Sequence, residues 1–203
     1  MKIICVGLNY PRHADEIGMQ TGADPVIFMK PDTALLRDNM PFYVPDWAER
    51  FDFETELVFR ISRLGRHIEE RFAHRYYDSV GLGIDFTARD MQRELAEKGQ
   101  PWEICKAFDY SAAVSGFIPL ADLPPIKDLS FSLKVNGVER QKAVAGDMIH
   151  SIDSIISYVS RYFSLRIGDL IFTGTPAGVG PVGEGDRLEA ELCGRKLLDF
   201  DIK

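Results

Sequence analysis

The 203-residue chain is 45% hydrophobic and 27% charged, which is typical of a globular protein and fits one domain over residues 1–203. Its formal net charge of -7 disfavours nucleic-acid binding, because no basic surface is available to neutralise phosphates. No apolar run reaches the roughly 20 residues of a membrane helix, and the N-terminus lacks the features of a signal peptide.

In the first half of the chain, apolar runs bounded by turn residues predict short strands over residues 1–7, 25–30 and 52–61. A proline-rich stretch over 31–47 predicts loops with short strands. A short helix is predicted over 10–17, with Asn9 as its N-cap and Gly18 as its end. Apolar residues at every fourth position, from Ile68 to Val80, predict a second, amphipathic helix over 67–79.

Two further helices have clear boundary signals. Thr87 and Asp90 have the spacing of a capping pair, and Gly99 supplies a C-terminal stop, so a helix is predicted over 88–98. An apolar stripe predicts another helix over 152–164, capped by the serine at 151.

The remaining segments of the chain are predicted to form strands and turns. Asn136-Gly137 is a preferred hairpin turn, and the chain closes with two strands around Gly194. The glycine loop TGTPAGVGPVGEG could hold an anion but lacks the Gly-Lys-Ser/Thr of a P-loop, and GLGIDF does not match GxGxxG. Without repeats or linkers, the chain is predicted to be a strand-rich α+β protein. The three cysteines form no CxxC pair and favour reduced thiols in a cytoplasmic protein.

Glu54 and Glu56 lie two positions apart on the acidic strand, so their side chains leave the same face about 6–7 Å apart. Such close like charges repel, and a hard cation (Mg²⁺, Mn²⁺ or Ca²⁺) would remove the repulsion. Asp85, just before a predicted helix, is the candidate third ligand. The alternatives are an exposed acidic strand face and a capping role for the aspartate.

His13 and Glu16 are three positions apart on the first predicted helix, so they share a face and could form a general base. A surface ion pair is the alternative. The apolar neighbours of Lys106 favour a partly buried amine with a charged partner, and a snorkelling surface lysine is the alternative. Ordinary surface or core positions are predicted for the remaining histidines, which are His67, His74 and His150.

Six motifs, in order, resemble the fumarylacetoacetate hydrolase family, and most closely its short acylpyruvate hydrolase and oxaloacetate decarboxylase branch. These motifs are CVGLNYPRHADE, FMKPDTAL, FETEL, IDFTARDMQ, KAFD and GDLIFTGTPAGVG. The resemblance spans nearly the whole chain. It implies an α+β, mostly β fold, the mixed β-sandwich roll of the family's C-terminal domain with a few short helices, and a homodimer.

The resemblance also implies roles for individual residues. The positions that match metal ligands, usually for Mg²⁺ or Mn²⁺, are Glu54, Glu56 and Asp85. The positions that match catalytic residues, for activating water and for stabilising negative charge, are His13, Glu16 and Lys106. The positions that match substrate or neighbouring contacts are Thr175, Lys30 and Gln92. The segment Phe51-Asp52-Phe53 departs from the family, which often has a histidine just before the glutamate pair, and SGF at 115–117 stands where many members have Gly-Pro-Trp.

The expected function is divalent-metal-dependent hydrolysis of a C–C bond in acylpyruvate-like 2-oxo (2,4-diketo) acids, with release of pyruvate. Decarboxylation of oxaloacetate and isomerisation or tautomerisation of hydroxydienoic or oxo-enoic diacids are alternatives within the family, because the same residues could support each reaction. A non-catalytic metal-binding β-domain is a more distant alternative. Residues 11–25 are expected to form a lid over the substrate.

Overall fold

A computed structural model describes residues 1–17 and 22–203. Gly18, the predicted helix end, and part of the predicted lid over 11–25 lie outside the described residues. The helices are α1 (Pro11–Ile17), α2 (Glu70–Ala73), α3 (Arg89–Glu97), α4 (Glu103–Lys106) and α5 (Ile152–Ser160). The strands are β1 (Ile3–Gly7), β2 (Val26–Lys30), β3 (Leu35–Leu36), β4 (Phe51–Phe53), β5 (Thr55–Ile61), β6 (Tyr77–Asp85), β7 (Thr87–Ala88), β8 (Ala112–Val114), β9 (Ile118–Pro119), β10 (Ser130–Val135), β11 (Val138–Val144), β12 (Leu170–Phe172), β13 (Gly180–Val182), β14 (Arg187–Leu192) and β15 (Arg195–Asp201). In the described ranges, no helix is long and apolar enough to cross a membrane.

The largest sheet has eight strands in the order β2-β1-β12-β5-β6-β8-β3, with β9 paired to β6. β1 is parallel to β12 and β3 to β8, whereas the other neighbours are antiparallel. A four-stranded sheet has the order β11-β10-β14-β15, and a three-stranded sheet has the order β13-β4-β7. This mixed, mostly β architecture with short helices confirms the predicted fold class.

The eight-stranded sheet is buried on both faces, and the two faces carry different side chains. Ile4 and Leu57 pack into the larger apolar core, whereas Cys5 and Val58 belong to a smaller cluster. Because side chains alternate along a strand, Glu56 lies on the same face as Val58. The second face therefore carries both the smaller apolar cluster and part of the acidic site.

The helix predicted over 67–79 is largely wrong, because only α2 is helical there and β6 begins at Tyr77. Val80, which completed the four-residue pattern, lies in the middle of the large sheet opposite Phe59. Its neighbours at two-residue spacing, Leu82 and Ile84, face the same apolar core. The apolar residues of this segment alternate as in a strand, but some of them also fall four positions apart, and this second spacing led to the wrong prediction.

The acidic strand predicted over 52–61 is interrupted at Glu54, between β4 and β5. β4 pairs with β13 and β7, whereas β5 pairs with β12 and β6. The chain thus passes from the three-stranded sheet to the eight-stranded sheet at this residue.

The predicted capping pair of Thr87 and Asp90 is wrong, and so is the predicted Asn9 cap, because each of these side chains has another partner. The Thr87 hydroxyl donates to the Asp85 carbonyl at 3.4 Å, and the Asp90 carboxylate accepts the Glu49 N–H at 2.9 Å. The Asn9 side chain bridges two loops instead of capping α1, accepting from His150 N–H and donating to the carbonyls of His150 and Thr173.

The other boundary predictions are mostly confirmed. The Ser151 hydroxyl caps α5 by accepting the Ser154 N–H at 3.1 Å, although α5 ends at Ser160 and so falls short of 164. Gly99 follows α3 with a φ of +63°, as a C-terminal stop requires. Hairpin turns occur at Asn136-Gly137 and Cys193-Gly194, where all four residues have positive φ. The three cysteines are free.

Candidate active site

Three carboxylates meet in the interior where β5 begins and β6 ends. Glu54, Glu56 and Asp85 are 4%, 2% and 0% exposed, and one oxygen of each lies within 4.8 Å of the other two. The register places Glu56 opposite Gly83, two residues before Asp85, and the Asp85 N–H donates to the Glu54 carbonyl at 2.8 Å. Antiparallel pairing therefore brings the distant aspartate to the glutamate pair. The alternative of an exposed acidic strand face is wrong.

Buried cations surround these carboxylates. Lys106 Nζ lies 2.7 Å from Glu54 Oε2 and 2.9 Å from Asp85 Oδ2. The predicted buried amine with charged partners is thus confirmed. Lys30 Nζ lies 2.7 Å from the other oxygen of Asp85 and also donates to Ser111 Oγ and to the Lys106 carbonyl. Since all of these partners are buried, Lys30 holds Asp85 from within the fold.

Arg89 is a site residue that sequence reasoning missed. Its guanidinium donates to Asp52 at 2.8 Å, to Gln92 Oε1 at 2.5 Å and to Glu54 at 2.5 Å. It is 5% exposed. Asp52, within the segment that departs from the family's histidine, also accepts from Arg50 at 2.7 Å. A buried acid needs a cationic partner, so the acid at position 52 was the signal that could have identified this arginine.

The two glutamates have opposite electrostatic surroundings. Burial alone would raise the pKa of Glu54, but Lys106 and Arg89 outweigh burial and hold that pKa below its usual range. Burial raises the pKa of Glu56 well above its usual range, and Asp85 and Glu54 add to the effect. Burial alone would lower the pKa of Lys106, yet Asp85 and Glu54 raise it. Additional positive charge beside Glu56 would therefore favour its ionised form at neutral pH.

The donor set fits a hard divalent cation. Carboxylate oxygens are the ligands that Mg²⁺, Mn²⁺ and Ca²⁺ prefer. The cavity lined by the three carboxylates has a volume of about 20 Å³, which is enough for one water-sized ligand.

His13 lines the same cavity from α1 and is 4% exposed. Its Nδ1 lies 3.4 Å from Glu16 Oε2, and the Glu16 carboxylate also accepts the Gly178 N–H at 3.2 Å. Burial lowers the pKa of His13 below the ordinary histidine value, although Glu54 and Glu16 oppose the effect. A neutral imidazole that donates from Nδ1 to a carboxylate keeps a lone pair on Nε2 and can accept a proton. The alternative of a surface pair is therefore wrong for His13.

Thr175 and Gln92 also line the cavity. The Thr175 hydroxyl donates to the Thr55 carbonyl at 2.9 Å and accepts from Gln141 Nε2 at 2.8 Å. Just before it, the Gly174 N–H donates to Glu56 at 2.6 Å. A side chain at position 174 would be strained, because φ is +94° and a Cβ would lie 2.8 Å from Asn9.

An adjoining pocket of about 430 Å³ shares Arg89, Gln92 and Trp102 with the small cavity and extends to Arg50 and Arg93. It offers space for the part of a ligand that does not enter the small cavity. The remaining histidines lie at ordinary positions as predicted, exposed or half-buried: His67, His74 and His150.

The sequence profile of the fumarylacetoacetate (FAA) hydrolase C-terminal family matches residues 2–199. The chain belongs to the fumarylacetoacetate hydrolase family. Oxaloacetate tautomerase YcgM of Escherichia coli is 40% identical to this family member over 197 residues, which are 97% of this chain and 90% of the relative. Mitochondrial oxaloacetate tautomerase FAHD1 of Mus musculus is 41% identical over 201 residues, 99% of this chain and 91% of the relative.

Among solved structures, fumarylpyruvate hydrolase from Pseudomonas aeruginosa, in complex with Mn²⁺ and pyruvate, matches this family member with a TM-score of 0.94. The two chains are 35% identical, and the match covers 100% of this chain and 89% of the other. Relatives in the fumarylacetoacetate hydrolase family are thus enzymes that act on small molecules, and they include hydrolases and tautomerases. The Mn²⁺ complex and the acidic cluster together support a divalent metal.

Proposed function

We propose that this family member is a divalent-metal-dependent oxaloacetate tautomerase, which interconverts the enol and keto forms. The observation that carries the proposal is the placement of His13 around one small cavity with Glu54, Glu56 and Asp85. Two relatives about as long as this chain, at 40% and 41% identity, are oxaloacetate tautomerases, which supports the choice of substrate.

Glu54, Glu56 and Asp85 are the proposed metal ligands. A divalent cation held there would supply polarisation of the 2-oxo carbonyl and of the neighbouring carboxylate. Lys106 and Arg89 contribute fixed positive charge beside the ligands, which favours binding of a dianionic substrate. The proposed substrate-binding residues beside them are Thr175 and Gln92, which line the cavity. Lys30 lies behind Asp85 and is proposed to hold that ligand in place.

His13 is the proposed proton carrier. It accepts the proton of the enol hydroxyl, and a proton is returned to C3 of the substrate. The O–H electron pair becomes part of the carbonyl double bond, and the C2–C3 π pair forms the new C–H bond, so no other reactant is needed. Glu16 stabilises the imidazolium that exists between the two transfers.

Hydrolysis of acylpyruvates, the reaction expected from the sequence, is the second candidate. The adjoining pocket of about 430 Å³ favours it, because oxaloacetate does not need that space. In this reaction, His13 with Glu16 activates a water molecule, and the products are pyruvate and a carboxylic acid. Decarboxylation of oxaloacetate needs no activated water and is tested by the same assay.

The test is a substrate panel with purified protein and Mg²⁺ or Mn²⁺. Loss of enol-oxaloacetate is followed by absorbance, and pyruvate release from oxaloacetate and from acylpyruvates is followed with a coupled lactate dehydrogenase assay. Metal without protein measures the background, and a chelator measures the metal requirement. Fast enol loss without pyruvate supports the tautomerase, whereas pyruvate from acylpyruvates supports the hydrolase. If no substrate reacts above background, the proposal fails.

The homodimer and the cytoplasmic location remain predictions. Size-exclusion chromatography with light scattering would test the dimer directly.

A further inference from the structure

Gln141 lies far from the acidic motif in sequence but contacts it in the structure. It is on β11, an edge strand of the four-stranded sheet, and is 1% exposed, whereas its neighbours Arg140 and Lys142 are exposed. Its Oε1 accepts the Thr55 N–H at 3.0 Å. Thr55 stands between Glu54 and Glu56, so this amide holds the peptide that joins two proposed metal ligands.

The Gln141 amide accepts a hydrogen bond from β5 at a position that β12 does not reach. β12 pairs with β5 only as far as Phe172 opposite Val58, and Thr173 then bonds to the Leu57 carbonyl. Beyond that point, no strand among residues 1–17 and 22–203 pairs with Thr55 on this edge. Its N–H is satisfied by Gln141 and its carbonyl by the Thr175 hydroxyl.

The orientation of this amide is fixed by its neighbours. The Thr55 N–H can only donate, so it requires Oε1, and the Pro176 carbonyl can only accept, so it requires Nε2 at 2.8 Å. Nε2 also donates to Thr175 Oγ1 at 2.8 Å. One side chain therefore connects the ligand strand with the loop that carries the proposed substrate-binding threonine.

A close backbone contact supports the same connection. At Gly178, where φ is +98°, an added Cβ would lie 2.1 Å from the Arg140 carbonyl. The hairpin of β10 and β11 therefore packs directly on the loop between β12 and β13, which carries Thr175 and Gly178. The N–H of the same glycine donates to Glu16, the partner of His13. The loop on which the hairpin packs thus bonds to Glu56 through Gly174 and to Glu16 through Gly178.

We infer that Gln141 is a positioning residue for the cation site, acting through the peptide between Glu54 and Glu56. The inference builds on the proposed function, because it assumes that these glutamates bind a divalent cation. Groups that orient metal ligands from outside change metal affinity or activity by about 10–100-fold when removed.

Gln141→Met tests the inference, because methionine keeps the side-chain length and removes both hydrogen-bonding groups. Lys142→Gln, at the exposed neighbouring position on β11, is the matched control. Calorimetric titration with Mn²⁺ gives Kd, thermal unfolding without metal reports folding, and kcat and KM are measured at increasing Mn²⁺. Gln141→Asn, which is too short to reach both partners, is a second variant should the methionine variant fail to fold.

The expected result is a Kd for Mn²⁺ about 10–100-fold weaker in Gln141→Met, unchanged in Lys142→Gln, with activity partly recovered by excess Mn²⁺. A folded Gln141 variant that binds Mn²⁺ as tightly as the wild type overturns the inference, even if its unfolding temperature falls. Wild-type protein that binds no Mn²⁺ overturns the proposed cation site, and the inference with it. The two failures are thus distinguished by the wild-type titration.

Discussion

The two halves of the candidate site are held by different kinds of structure. The carboxylate half lies on β5, on β6 and at Glu54 just before β5, where strand pairing and buried ion pairs of 2.5–2.9 Å fix the side chains. The His13 half lies on the short helix α1 and is held by contacts of 3.4 and 3.2 Å through Glu16. The charge-binding half is therefore held rigidly and the proton-transfer half more weakly, so mutations in the two halves should have separable effects.

The largest effect is expected from Glu56→Gln, which removes a ligand from the rigid half. Activity should fall by about 10³-fold, and stabilisation of the fold by Mn²⁺ should disappear. Because the folded pKa of Glu56 is raised, its contribution to stability is present at low pH and is lost as the pH rises through that pKa. The metal-free variant should therefore unfold at a higher temperature than metal-free wild type at pH 8.

Glu94→Gln is the matched control, since Glu94 is an exposed residue on α3 with only a surface partner. Activity and Mn²⁺ stabilisation should stay at wild-type values in this variant. If Glu56→Gln still gained the full stabilisation by Mn²⁺, the assignment of the rigid half would be wrong.

A smaller and different effect is expected from His13→Gln in the proton-transfer half. Loss of a general base should lower kcat by about 10²-fold, while the Kd for Mn²⁺ stays unchanged because no ligand is altered. Steady-state kinetics and calorimetric titration measure the two quantities, with His74→Gln at an exposed position as the control. A parallel loss of Mn²⁺ affinity would contradict the separation of the two halves.

The smallest effect is a shift in pH dependence. The base form of His13 is the active form, and burial lowers its pKa, so the acid limb of kcat/KM should lie below the ordinary histidine value of about 6.5. Glu16 raises that pKa, so Glu16→Gln should move the limb to still lower pH. A pH profile of both proteins measures the shift. Movement of the limb to higher pH would exclude His13 as the titrating base.

The sequence identified residues whose chemistry is local and missed those set by long-range packing. The spacing of Glu54 and Glu56 predicted a cation site, and the buried cluster agrees with it. The break between β4 and β5 was hidden, because alternating residues continue through Glu54 without interruption. Gln141 could not be found, since it meets Thr55 across 86 positions of the chain through pairing that no local pattern records.

The fold class could be predicted from alternating apolar residues and turn residues. Individual elements were mispredicted where the same residues fitted both a helical and a strand spacing. Val80 satisfied the helical pattern and also the strand pattern, and only pairing with β5 decides between them. Arg89 was overlooked because a helix start rich in polar residues also fits a solvated surface, and its burial depends on Asp52 on β4, a strand 35 or more positions earlier that pairs with β7 just before Arg89.

The sheet change at Glu54 has a consequence for the lifetime of the protein. An ion bound by Glu54, Glu56 and Asp85 would hold the residue at this junction to two central strands of the large sheet, β5 and β6, so unfolding of the junction would require release of the ion. At a free metal concentration 100 times Kd, this linkage adds about 2.7 kcal/mol to the free energy of unfolding. The supply of divalent metal would then set resistance to heat and proteolysis as well as turnover.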